Sequence, residues 1–170
     1  MGFTLATLAV LALLGQNRSC SSSHRFVEQV LGRTPEAEIA KYLAAIAEGD
    51  RHSALTLWPV AGAPDAALEV RRASVTDELL TYGPRLEYRI LDVVWWRTCC
   101  EPGVIDDPAE AGGARIRVSV SGGNQPAAAY VFDLLVPGGY WGAAAGYPVR
   151  QWDIVDVYPE GAEPLAWTWK

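Results

Sequence analysis

The residues in this chain best suited to acid–base chemistry are carboxylates set in apolar strand patterns. Asp133 interrupts the run from Tyr130 to Val136, on the face opposite Tyr130, Phe132 and Leu134. A carboxyl buried beside aromatic neighbours loses water around its charged form, so its pKa rises and it can act as a general base. The alternative is a pairing of Asp133 with Arg115 or Arg117 on a hairpin neighbour. Asp92 presents the same choice at a bend in its strand, and Glu87, Asp153 and Asp156 are the remaining strand acids. A cluster of Asp92, Asp133 and Asp153 stays open at this point. His24 falls in a linker, and His52 falls in the first turn of a helix, where a solvated side chain is expected. No Gly-x-Ser-x-Gly or Cys–His arrangement is present. Cys99 and Cys100 are adjacent just before Pro102-Gly103, either as a disulfide in a distorted turn or as two small apolar side chains at a strand end. With no Cys-x-x-Cys spacing and no nearby His, neither a metal nor a cofactor is expected.

Binding chemistry is suggested by aromatic residues. Six of the seven tryptophans lie beyond residue 90. Tyr140, Trp141 and Tyr147 sit in a Gly/Ala loop that can bury little by itself, and Trp167 and Trp169 lie in the tail. Such aromatics serve as interface anchors, rest in a lipid headgroup layer, or simply pack. The net charge of −6, with no basic run beyond the pair Arg71-Arg72, argues against nucleic acid.

Helices come first among the elements that must position these groups. Thr34-Pro35-Glu36 is a helix start, with a cap, a proline at the first helical place and an acid in the first turn. Ile39, Tyr42, Leu43, Ile46 and Ala47 then recur at helical spacing, Gly49 ends the helix, and Asp50 caps another that carries Leu55 and Trp58 up to Pro59. Further helical pattern follows Pro64-Asp65, with a restart at Ser74-x-x-Asp77 and an end at Tyr82-Gly83-Pro84. The period then changes to two. Leu86, Tyr88 and Ile90 share a face, while Val93-Val94-Trp95-Trp96 is apolar on both, so this strand passes through a bulge into full burial. Residues 101–113 read as a loop. Ile116, Val118 and Val120 alternate with polar residues, Gly122-Gly123-Asn124-Gln125 is a hairpin turn, and Val149 to Tyr158 is the last strand. Helices followed by strands indicate an α+β class, with N-terminal helices packed on a curved antiparallel sheet of about four strands.

The first fifteen residues, MGFTLATLAVLALLG, carry no charge. At about 1.5 Å per residue such a run reaches about 22 Å of a hydrocarbon core about 30 Å thick, which suits a signal or anchor better than a full span. Cys20, after Ser19 and before a run of serines, resembles the acceptor cysteine of bacterial lipoproteins, although Asn17 and Arg18 stand where that motif has an aliphatic and a small residue. Lipidation at Cys20, a retained signal anchor and ordinary secretion are the three fates. The expected organisation is a hydrophobic N-terminal helix over 1–15, a polar linker over 16–24, an α+β domain over 25–159 and a tail over 160–170.

The segment 35–50, with its Gly-Asp turn into a second helix carrying a Leu and a Trp, resembles the first helix of the nuclear-transport-factor-2-like superfamily, which overlaps the cystatin-like fold. The long bent strand at Trp95-Trp96 and the closing Trp152-Asp153-Ile154-Val155-Asp156-Val157 fit as well. The resemblance covers about residues 34–158 and implies a cone of sheet and helices around a pocket. That fold hosts enzymes, carriers and interaction domains alike. The leading expectation is a non-catalytic interaction domain tethered to the cell membrane on its periplasmic or extracellular side, an accessory subunit with a membrane-protein partner. The alternative is a small-ligand-binding protein or enzyme using the cone pocket, with Asp133 or Asp92 as the base.

Overall fold

Thr34 starts the helix that its sequence predicts: Oγ1 accepts the Ala37 N–H at 3.2 Å, and Pro35 occupies the first turn. The computed structural model describes residues 29, 32–58, 66–97, 103–108, 111–123, 125–136 and 152–165. The hydrophobic segment 1–15, Cys20, His24, Cys99, Cys100 and the aromatics Tyr140, Trp141, Tyr147, Trp167 and Trp169 lie outside them. Among the described residues, no helix is long and apolar enough to cross a membrane.

Helix α1 runs Pro35–Ala47 and buries Ile39, Tyr42, Leu43 and Ile46, the stripe expected from helical spacing. It stops at Gly49, whose φ of 76° suits a residue without Cβ. Asp50 then caps α2, Arg51–Leu57, accepting the Ser53 N–H at 3.0 Å. Helix α3 spans Ala66–Leu80 without interruption, so Ser74 lies inside a helix rather than at the start of a new one. Val75, Thr76 and Leu79 form its buried side, and these tertiary contacts outweigh the local capping pattern.

Among the described residues the sheet has five antiparallel strands in the order β2-β1-β3-β4-β5, so the class is α+β with one strand more than expected. The strands are β1 Glu87–Arg97, β2 Gly103–Ile105, β3 Gly113–Gly122, β4 Gln125–Leu135 and β5 Asp153–Pro159. The extra strand is β2, a three-residue piece of the expected loop that pairs with Trp95, Trp96 and Arg97. Gly122 pairs with Gln125 across the predicted hairpin. A Cβ on Gly122 would stand 2.5 Å from the Arg85 carbonyl oxygen, which explains the glycine there. The bulge predicted in β1 falls between Ile90 and Asp92. Beyond it, residues 93–97 are half-buried rather than fully buried, because β1 lies near the sheet's edge.

Helices and sheet enclose one apolar core. Tyr42, Trp58, Phe132, Ile39, Leu43, Ile46, Leu79, Ile116 and Leu134 are all at most 1% exposed. Tyr42 meets Phe132 edge-on at 5.9 Å and Trp58 at 6.4 Å. Each such side chain contributes about 1.5–3 kcal/mol through burial, which is what holds the helix layer to the sheet. Trp152 is in the core, while Trp95, which packs against it at 6.1 Å, and Trp96 are half-buried rather than fully buried.

Several polar contacts tie α3 to its surroundings. The Tyr42 and Thr76 hydroxyls share a buried hydrogen bond of 3.0 Å. Tyr130 on β4 donates to Glu78 Oε1 at 2.9 Å. Arg72 donates to the carbonyls of Leu55 and Trp58, satisfying the C-terminal end of α2.

Candidate functional site

Register assigns the strand acids to faces. Ile116, Phe132 and Val157 lie in one ladder on the helix side of the sheet, and Arg115, Asp133 and Asp156 lie in the next, on the opposite side. Asp133 therefore stands on the face predicted for it, and it is fully buried.

Its partner is Arg115, one of the two arginines weighed from the sequence. Arg115 Nε donates to Asp133 Oδ1 at 2.7 Å and Nη2 donates to Oδ2 at 2.9 Å, a bidentate fork. Tyr158 on β5 donates its hydroxyl to Oδ2 at 3.2 Å. Burial pushes the Asp133 carboxyl above the usual carboxylate range, and the Arg115 guanidinium holds it part of the way back. Burial also raises the Tyr158 hydroxyl, and the Asp133 charge raises it further. The carboxylate is thus raised as a general base requires, but it has no surface that a substrate could reach.

Asp156, directly across from Asp133 on β5, is also fully buried. Its Oδ2 accepts Arg71 Nη1 at 3.0 Å and the backbone N–H of Leu165 at 2.7 Å. Arg71 also lies 5.6 Å from the centre of the Tyr158 ring. The C-terminal run 160–165 is fixed here: Glu160 N–H donates to the Ala129 carbonyl at 2.8 Å, and Arg117 pairs with the Glu160 carboxylate at 2.8 Å. The result is two buried acids and two arginines laced with one tyrosine: Arg115, Asp133, Asp156 and Tyr158 share the sheet face opposite the apolar core, and Arg71 reaches them from α3. Sequence reasoning missed the roles of Arg71, Tyr158 and Asp156. Asp156 carries the same signal as Asp133, an acid inside an apolar strand.

The other candidates are separated from this pair. Asp92 is exposed, just after the β1 bulge. Asp153 is at the start of β5, so the cluster of Asp92, Asp133 and Asp153 does not form, and Asp156 takes the place beside Asp133. His52 is exposed on α2, as expected. Among the described residues, no group of three His, Cys, Asp or Glu side chains could hold a metal ion.

A cleft of about 360 Å³ opens between the start of α1, the end of α2 and the start of β5. Arg33, Glu38, Lys41, Thr56, Leu57, Trp152 and Asp153 line it. Lys41 pairs with Glu38 at 2.6 Å. Burial, and then the nearby Glu38 charge, raise the Asp153 carboxyl. The cleft is polar, with walls contributed by both helices and by β5.

The two edges of the sheet differ. Strand β5 is buried from Ile154 to Tyr158 and α3 packs against it. Strand β1 meets β2 only at its last three residues, and over 87–94 no further strand pairs with it among the described residues. Tyr88 and Leu91 on that stretch are 42% and 37% exposed. No protein-family model, curated protein or solved structure matches this chain.

Proposed function

We propose that this chain is a non-catalytic, membrane-tethered interaction domain, an accessory subunit of a membrane assembly on the periplasmic or extracellular side. The observation that carries this reading is the state of the strand acids. The two fully buried ones, Asp133 and Asp156, are bound into ion pairs with partly exposed arginines, and apolar side chains of the described residues are buried between helices and sheet. In this reading the helices and sheet form a filled version of the cone known from nuclear-transport-factor-2-like domains. The uncharged segment 1–15 is a short hydrophobic helix that brings the domain to the membrane. Because it is shorter than a full span, attachment rests on lipid at Cys20 or on a partner protein beside the helix. Tyr140, Trp141, Tyr147, Trp167 and Trp169 are the contact residues toward that partner.

Mass spectrometry of the mature N-terminus, combined with the native mass of the detergent-extracted protein, tests this. The expected result is a lipid-modified Cys20 or an intact Met1, in a particle that contains a membrane protein. A cleaved, freely soluble chain would overturn the reading. The cleft beside Asp153 favours a second reading, a small-ligand-binding protein in which Arg33 and Lys41 hold an anionic group. Calorimetric titration with small carboxylic acids, whose heat is lost in Arg33→Ala, would support that reading. Absence of heat across the series would remove it.

A further inference from the structure

The open part of β1 is matched to a second copy of itself. Residues 87–94 are bounded at one end by the start of the strand and at the other by β2. An antiparallel two-fold pairing confined to this stretch has its axis at the midpoint, between Ile90 and Leu91. It sets Arg89 opposite the partner's Asp92, Tyr88 opposite the partner's Val93, and Glu87 opposite the partner's Val94. We propose that two copies of this chain associate edge to edge in this register, joining two five-stranded sheets into one.

The β1 bulge is what makes that register consistent. In a regular strand Arg89 and Asp92, three residues apart, would point to opposite faces. The register shift at Leu91 puts both on the face away from the helices, with Arg89 across from Ser119 and Asp92 across from Arg117 on β3. It likewise puts Tyr88 and Val93 together on the helix side, across from Val120 and Ile116. Every pair away from the axis therefore meets on a common face. A sheet edge usually resists association through its charges and bulges. Here the bulge aligns charges that are complementary only to the same sequence running the other way.

The charges are also free to be used. Arg89 and Asp92 are both exposed, and neither forms an ion pair among the described residues. By symmetry the interface gains two Arg–Asp contacts. It also covers Tyr88 and Leu91, the two large apolar side chains exposed on this stretch. The inference goes beyond the tethered-domain reading and does not need the tether, since it rests on β1 alone.

The test is the mass of the full chain in detergent at micromolar concentration, by light scattering or sedimentation. The wild type is expected at twice its 18.4 kDa. Arg89→Asp and Asp92→Arg, made singly, each replace two attractions by two repulsions and weaken the dimer by about tenfold or more. The double variant R89D/D92R restores the two contacts with their signs exchanged and returns the affinity to within about threefold of wild type. Circular dichroism of each variant checks that the fold is retained, as expected for exposed positions. A monomeric wild type overturns the proposal. So does a dimer indifferent to the single reversals, or one that the double variant does not rescue.

Discussion

Replacing Arg115 by Met leaves Asp133 buried without its counter-charge. The substitution keeps the apolar stem of the side chain, so the loss is chiefly the guanidinium. Asp133 receives three hydrogen bonds, two from Arg115 and one from Tyr158. Breaking one side of a buried ion pair costs about 3–5 kcal/mol. Arg115 is 28% exposed, so water can enter the gap, and the Tyr158 hydroxyl remains; the expected loss is therefore near the lower end, about 3 kcal/mol at neutral pH. Urea unfolding of the full chain measures it as a shift in midpoint. The variant also carries a pH signature. Without Arg115 the effect of burial is less opposed, and the Asp133 carboxyl climbs further above its ordinary value of 3.8. A group whose folded pKa exceeds its unfolded one destabilises the fold most when ionised. The deficit is thus full above the folded pKa, shrinks as pH falls through it, and is smallest below the unfolded value. The double variant R115M/D133L removes both charges and is expected within about 1 kcal/mol of wild type. A loss below about 1 kcal/mol, or a deficit that persists unchanged in acid, would refute this account of the pair.

Three other outcomes are expected. Tyr42→Phe strands the fully buried Thr76 hydroxyl and costs about 1–2 kcal/mol in thermal or urea unfolding, while Y42F/T76V costs no more than the single variant. Gly122→Ala forces a Cβ against the Arg85 carbonyl and the Leu86 backbone, and destabilises by about 1–3 kcal/mol, measured in the same way. The Asp50 carboxyl is held below its ordinary value by the Ser53 hydroxyl and N–H, so its stabilisation is present above pH 3.8 and lost as pH falls through the folded pKa. Asp50→Asn keeps a capping oxygen but cannot titrate, so its unfolding midpoint falls less steeply with acid below that pH.

Local signals recovered the helices well because their causes are local. The Thr34 cap, the stripe from Ile39 to Ile46, the Gly49 stop and the Asp50 cap each depend on neighbours within one turn. The hairpin at Gly122 and the alternation along β3 were equally plain. The merger of two expected helical pieces into α3 was not, because Ser74 and Asp77 imitate a helix start and only the contacts of Val75 and Leu79 decide otherwise. Strand β2 escaped notice because three residues beside Pro and Gly carry no period. For the site, an acid in an apolar strand marked Asp133, and its position on the hairpin narrowed the partner to two arginines. Arg71 had no such signal: it lies 85 residues from Asp156 in sequence, and a helical arginine is ordinarily solvated. Which strand forms the open edge depends on sheet order, which alternation of side chains does not encode.

Arg71 and Arg72 are neighbours on α3, about 100° apart around its axis. One guanidinium reaches across to the carboxylate of Asp156 on β5, and the other reaches the last carbonyls of α2. Together they fix the azimuth of α3: turning the helix either way lengthens one set of bonds, and sliding it along its axis lengthens both. The helix therefore behaves as a shaft keyed to β5 on one side and to α2 on the other, and its backbone amides should open to solvent exchange only when those contacts part.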